Sequence, residues 1–370
     1  MNKQAAPALT AEKKASPLQQ LPTPLLYWYR ANARSLPWRD DPTPYHVWLS
    51  EIMLQQTRVE AVKPYYLRFL RAYPDIPALA HAQEEQLHKL WQGLGYYSRV
   101  RNLKKCAQQI MERHGGQMPA DVRQLQKLAG IGPYTAGAIA SIAFGLPEPA
   151  VDGNVLRVVT RLCADTGDIA DRRVKERIAQ ELRAVYPPAD SAAFTQALME
   201  LGALVCVPNG APHCEVCPLC EFCGSAGGAW RDIPHKSPKK ARKTERRTVY
   251  LLSCDGKYAL VKRPASGLLA GLWEFVSAEQ GSEAERSILE QLREHTGGEK
   301  QYLGEAKHIF THLEWHMSGW AIRTDALLPG FVWVSQQELK EEYAVPSAYR
   351  YFMKFVTDDP REHADKAHTV

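Results

Sequence analysis

Leu128-Ala129-Gly130-Ile131-Gly132-Pro133-Tyr134-Thr135-Ala136-Gly137-Ala138 is the stretch that decides how this chain folds. It lies between two helical patterns. Two glycines two positions apart permit a tight turn whose backbone approaches another chain closely. The amides beyond Gly132 open a helix at Tyr134, and the first amides of a helix have no partner inside it, so an anion fits there. For a basic chain, a nucleic-acid phosphate is the natural anion. A glycine pair alone also marks an ordinary helix corner. The small residues that follow, Ala136, Gly137 and Ala138, allow close helix packing and favour the phosphate-binding hairpin.

Outward from this point, apolar residues recur every three or four positions from residue 25 to about residue 200. Helices are expected over residues 47–62, 82–91, 100–113, 134–144, 155–163 and 174–186. After residue 247 the pattern changes. Residues 248–254, 258–262 and 331–334 read as strands, and 282–295 as a helix. Between the two regions, Gly, Pro and the cations Lys236, Lys239, Lys240, Arg242, Lys243, Arg246 and Arg247 read as a linker, solvated or touching phosphates. The expected division is a disordered start (1–24), a helical domain (25–225), a basic linker (226–247), a mixed α/β module (248–356) and a disordered tail (357–370).

A chain of 370 residues, 45% hydrophobic, suits two cores rather than one. No run of about 18 apolar residues appears, and residues 1–21 lack a signal peptide's apolar stretch. The expectation is a cytoplasmic, nucleoid-associated monomer with no membrane partner. A net charge of +5 and a pI of about 8.7 permit nucleic-acid binding without proving it. Of eight cysteines, five lie between Cys206 and Cys223, which in a reducing compartment favours metal over disulfides. Cys206-x7-Cys214-x2-Cys217-x5-Cys223 is a four-thiolate spacing, with Cys220 as an alternative ligand. Spacing alone leaves zinc and an iron–sulfur cluster comparable.

Two acids stand in different settings. Asp152, in Val151-Asp152-Gly153-Asn154-Val155, precedes a helix and can cap it, which favours its ionised form. Glu51, in Ser50-Glu51-Ile52-Met53-Leu54-Gln55-Gln56-Thr57, lies among apolar neighbours, where desolvation would keep it protonated. A mere cap and an exposed helix glutamate are the plain alternatives. Together, such a pair suits N-glycosidic cleavage: one acid protonates the leaving base and the other stabilises the sugar cation.

The hairpin, the Asp152 segment and the cysteine set follow one another as in the endonuclease-III superfamily. With Leu36-Pro37-Trp38-Arg39, the Glu51 stretch and Gly93-Leu94-Gly95-Tyr96-Tyr97-Ser98-Arg99, the chain resembles the MutY-type adenine DNA glycosylases over about residues 25–356. The resemblance implies an all-α helix-hairpin-helix glycosylase core with an iron–sulfur loop, followed by an α/β MutT (Nudix)-like domain. It implies base excision repair of adenine opposite 8-oxoguanine or guanine in double-stranded DNA. Glu51 would protonate adenine and later help activate water, Asp152 would stabilise or trap the sugar cation, and Tyr134 and Asn154 would support them. Related bifunctional lyases carry a lysine where this chain has Tyr134. A phenol forms no Schiff base, so no efficient strand cleavage is expected. A bifunctional pyrimidine-lesion lyase and a non-catalytic lesion sensor are the competing readings.

By the same resemblance, Gly130 and Gly132 hold a DNA phosphate. Gln56 and Tyr96 enter the duplex near the mispair, while Trp38, Arg39 and Gln196 border the adenine pocket. Cys206, Cys214, Cys217 and Cys223 would bind a 4Fe–4S cluster, although the first gap is one residue longer than the family's usual six. In the second domain, residues 267–275 match the family's early loop. Phe310-Thr311-His312 matches the loop that senses 8-oxoguanine, with Thr311 in place of the usual Ser. Residues 281–298 contain Arg293-Glu294 but not the glutamate pair of a Nudix hydrolase, so no pyrophosphatase activity is expected.

Overall fold

The computed structural model describes residues 16–238, 241–295 and 300–356. The tail 357–370, Lys239, Lys240 and residues 296–298 of the Nudix-box region lie outside them, as do residues 1–15 of the expected irregular start. The chain forms two compact units, each discontinuous in sequence: Met1–Ile52 with Met118–Pro238, and Met53–Gln117 with Lys239–Val370.

The first unit is helical. Its core joins Val155, Leu156, Val158, Val159 and Leu162 of the helix Gly153–Leu162 to Phe194, Ala197, Leu198 and Leu201 of the helix Ser191–Leu204. A fully buried Leu or Val side chain contributes about 1.5–3 kcal/mol. Residues 16–24 do not behave as the disordered start expected of them. Ser16 caps the helix Pro17–Gln20, Pro22 opens the helix Pro22–Asn32, and Leu18 and Leu21 enter the same core. The hairpin connects the helices Val122–Leu125 and Pro133–Ala138, with Gly130 in left-handed backbone at φ +75°. A Cβ on Gly137 would lie 2.3 Å from the Pro149 carbonyl oxygen, so the small residue is needed for close packing.

The expected single helix over 47–62 is two, Pro44–Leu54 and Val59–Ala72. Gln56 adopts φ +58° and breaks the run, which apolar spacing alone does not reveal.

The second unit combines Val59–Ala72, Glu84–Trp91 and Ser98–His114 with the C-terminal module. That module is one six-stranded sheet: β1 (Lys243–Cys254), β2 (Lys257–Lys262), β3 (Trp273–Glu279), β4 (Lys300–Ile309), β5 (Leu313–Arg323) and β6 (Val332–Ser335). The order is β4-β5-β1-β3-β2-β6; β1 and β5 are parallel and the other pairs antiparallel. Trp315, Met317, Phe275, Tyr349 and Phe352 are among the residues that fill one face. The helix Glu283–Arg293 contributes Leu292 to a second cluster with Tyr250, Leu252 and Val276. The linker gives way to strand earlier than expected, because β1 begins at Lys243 and pairs with β5 from there. A helical core followed by a mixed α/β module is the architecture that the resemblance implied.

Candidate active site and cysteine loop

Glu51 lies in the helix Pro44–Leu54 and is only 6% exposed. The Tyr134 hydroxyl, from the first turn of Pro133–Ala138, donates to Glu51 Oε2. Burial pushes the Glu51 carboxyl up to about 7. The phenol hydrogen bond pulls the other way, nearby Asp152 raises it further, and Arg39 lowers it. Burial likewise takes the Tyr134 phenol well above its ordinary range, helped by the two carboxylates, so it stays neutral.

Asp152 caps the helix Gly153–Leu162. Its Oδ1 accepts from Val155 N at 2.8 Å, and its Oδ2 accepts from Asn154 Nδ2 at 2.8 Å. Burial raises its pKa as well, against these two donors and the charge of Arg157. The capping amides and the helix dipole favour the ionised form, as the sequence implies, and burial adds a desolvation cost against it. The contrast between the acids survives in their partners. Asp152 accepts from amides and lies near Arg157, whereas Glu51 accepts from a phenol and feels both the Asp152 carboxylate and, more weakly, Arg39. Glu51, Tyr134, Asp152 and Asn154 thus form one cluster.

Several groups around it were not anticipated from sequence. Glu200 accepts from Arg34 Nε at 2.7 Å and from Arg39 Nη2 at 2.9 Å. Burial alone would raise its pKa, but Arg34 and Arg39 hold it at about 2. Arg39 is therefore fixed by an ion pair and lies over the Tyr29 ring at 5.7 Å. Trp38 is buried, and Gln196 Nε2 donates to the Ala192 carbonyl at 3.3 Å, one turn before Glu200. Arg157 donates from Nη2 to Asn154 Oδ1 at 2.8 Å and to the Gly202 carbonyl at 2.7 Å, and from Nε to the Cys206 carbonyl at 2.7 Å. Its position one turn after Gly153 was a legible signal, because a cation there faces the residues that open the helix.

Cys206, Cys214, Cys217, Cys220 and Cys223 line one cavity with Arg161, Val205 and Trp230. Arg161 Nη1 lies 3.3 Å from Cys206 Sγ. Among the described residues, no three His, Cys, Asp or Glu side chains are gathered closely enough to hold a single metal ion.

Gly132 is the N-cap of Pro133–Ala138 in the first unit, and the remaining candidates belong to the second unit. Gln56 and Tyr96 are exposed, both in left-handed backbone, φ +58° and +47°. Phe310, Thr311 and His312 form the turn between β4 and β5. Phe310 N donates to the Leu313 carbonyl at 2.8 Å, and the half-buried Phe310 ring packs on Trp315 at 4.9 Å. Thr311 and His312 are exposed, and Thr311 Oγ1 reaches the Tyr96 hydroxyl at 3.5 Å.

Residues 49–184 match the HhH-GPD superfamily of base excision DNA repair proteins, and residues 247–354 match the NUDIX domain. The chain is 35% identical to the adenine DNA glycosylase of Mus musculus, over 85% of this chain and 73% of the relative. It is also 35% identical to that of Homo sapiens, over 85% of this chain and 70% of the relative. A thermostable thymine-DNA glycosylase superposes with a TM-score of 0.52 at 24% identity, over 56% of this chain and 96% of its own, a likeness of fold. Among the described residues, no helix is long and apolar enough to cross a membrane.

Proposed function

The chain belongs to the adenine DNA glycosylase family, and from that premise we propose that it hydrolyses the N-glycosidic bond of adenine opposite 8-oxoguanine or guanine. The nucleotide must first leave the base stack, because its bond is out of reach inside the duplex. The observation that carries this reading is the buried Glu51 carboxyl, raised to about 7 beside Tyr134 and Asp152. At neutral pH much of it carries a proton. Glu51 gives that proton to the ring nitrogen N7 of adenine, and the C1′–N9 electron pair departs with the base. Asp152, supplied with hydrogen-bond donors, offsets the positive charge left on the sugar. Glu51, now a carboxylate, takes a proton from the water that adds to C1′, which restores the acid. Tyr134 has no amine with which to form an imine, so the strand remains intact.

The four thiolates of Cys206, Cys214, Cys217 and Cys223 suit a 4Fe–4S cluster. A single zinc ion would need its sulfurs about 2.3 Å away on all sides. Four thiols lining one cavity suit a cluster with one thiolate per iron, as the family resemblance implies. Such a cluster, when bound, ties four points of the loop together and can exchange electrons. Gly130 and Gly132 are proposed to receive a DNA phosphate, Gln56 and Tyr96 to enter the duplex, and Trp38, Arg39 and Gln196 to border the adenine. Phe310, Thr311 and His312 are proposed to meet the 8-oxoguanine. The division into a helical domain, a basic linker and a MutT-like domain belongs to the same proposal, with the first helix beginning at Pro17 and the sheet at Lys243.

The test is a duplex carrying adenine opposite 8-oxoguanine. Base release with strand scission only after alkali supports the reading. Immediate nicking indicates a lyase, and tight binding without release indicates a sensor; either contradicts it.

A further inference from the structure

Gln56 and Tyr96 hold backbone that residues with a Cβ adopt only where their surroundings impose it. The first turn follows the helix Pro44–Leu54; the second lies between Glu84–Trp91 and Ser98–His114. One guanidinium joins them. Arg99 is 7% exposed. Its Nη1 donates to the carbonyls of Met53 at 2.9 Å and Gln55 at 2.7 Å. Its Nη2 donates to the carbonyls of Leu94 at 2.9 Å and Gly95 at 3.1 Å, with Thr57 Oγ1 at 3.4 Å. These acceptors border Gln56 on both sides and lead directly into Tyr96.

We propose that Arg99 is a positioning residue that clasps the two turns into one rigid wedge, so that Gln56 and Tyr96 enter a distorted duplex together. The proposal rests on the reading of those two side chains as duplex contacts. A guanidinium suits the task because its donors point in fixed, divergent directions, whereas a lysine ammonium offers three donors from one point. Met53 and Gln55 lie at the carbonyl end of a helix, where a positive charge is favoured. Burial lowers the Arg99 pKa only to about 10, so the group remains charged at neutral pH.

The experiment uses the full chain. In Arg99→Lys, amide hydrogen exchange without DNA is expected to rise in residues 54–57 and 94–97 together. Single-turnover adenine release at saturating enzyme, from a duplex with adenine opposite 8-oxoguanine, is expected to fall about a hundredfold. That rate constant does not depend on the fraction of enzyme folded, so a merely structural role would leave it unmoved. In a Gln56→Ala, Tyr96→Ala background, the same Arg99 change is expected to add little. An exchange increase confined to one turn overturns the clasp. So does a wild-type rate in Arg99→Lys when Gln56→Ala is slowed, an outcome that leaves the wedge reading intact. Wild-type rates in Gln56→Ala and Tyr96→Ala would remove the wedge reading and the clasp with it. If Arg99→Lys does not fold, Thr57→Val removes one acceptor and keeps the guanidinium. It is expected to raise exchange in both turns by a smaller factor, and a change confined to residues 54–57 overturns the clasp.

Discussion

In the proposed reading, Tyr134 sets the boundary between hydrolysis and strand cleavage. Its phenol is kept neutral by burial and by two carboxylates, and it serves Glu51 as a hydrogen-bond donor. A lysine there would place an amine beside the same sugar, with Glu51 and Asp152 to move protons. Tyr134→Lys is therefore expected to yield a covalent adduct trapped by borohydride, where the wild type yields none. Denaturing electrophoresis of the treated duplex reads this directly, and no adduct from a variant that still releases adenine would contradict the placement. The two acids were legible as residues. Their proximity was not, because about a hundred residues separate Glu51 from Asp152 and only the fold brings them together. The desolvation of Asp152 was hidden for the same reason.

Elements carry the next layer. The helix Gly153–Leu162 presents Asp152 and Asn154 because Ser191–Leu204 packs closely against it at Gly202. A Cβ on Gly202 would sit 2.6 Å from Asn154 Cβ and 3.1 Å from its Cα. Backbone cannot yield as a flexible side-chain tip can, so Gly202→Ala is expected to cost about 1–3 kcal/mol by overpacking. It should also slow adenine release by displacing Asn154. Thermal melting and single-turnover rates check both, and an unchanged rate would mean that Asn154 does not depend on this contact. Helical periodicity located most helices, since their apolar faces repeat. It missed the break at Gln56, whose left-handed backbone is held beside a long-range hydrogen bond from Arg99 to the Gln55 carbonyl that apolar spacing does not announce. The strands β3, β4 and β5 also escaped notice. β4 is an edge strand whose register shifts at Gly304, while β5 carries a readable alternation, with Trp315, Met317 and Gly319 buried between more exposed residues.

For the whole molecule, the cysteine loop gives the clearest test of what folding adds to spacing. Five thiols line the cavity, and the proposal names four. Cys220→Ser is expected to purify with the iron content of the wild type, whereas Cys206→Ser is expected to lose iron and to melt at lower temperature. Metal analysis with visible absorption reads the outcome, and zinc in place of iron would contradict the assignment. The two-part organisation was visible in the change from helical to alternating patterns. That Met53–Gln117 groups with the C-terminal module was not, because contacts such as Gln92 Nε2 to the Val345 carbonyl at 2.9 Å span most of the chain.

The account stands on a buried glutamic acid that is protonated at neutral pH. The measurement closest to it is the pH profile of single-turnover adenine release by the wild type and by Glu51→Gln. Because burial raises the Glu51 carboxyl to about 7, its acid form disappears as pH climbs past that value. The wild-type rate should then fall tenfold per unit on the alkaline side, while Glu51→Gln binds duplex but releases base at least about a thousandfold more slowly, without that limb. A Glu51→Gln enzyme that keeps the wild-type rate, or a wild-type rate that stays level well above pH 7, would contradict the account.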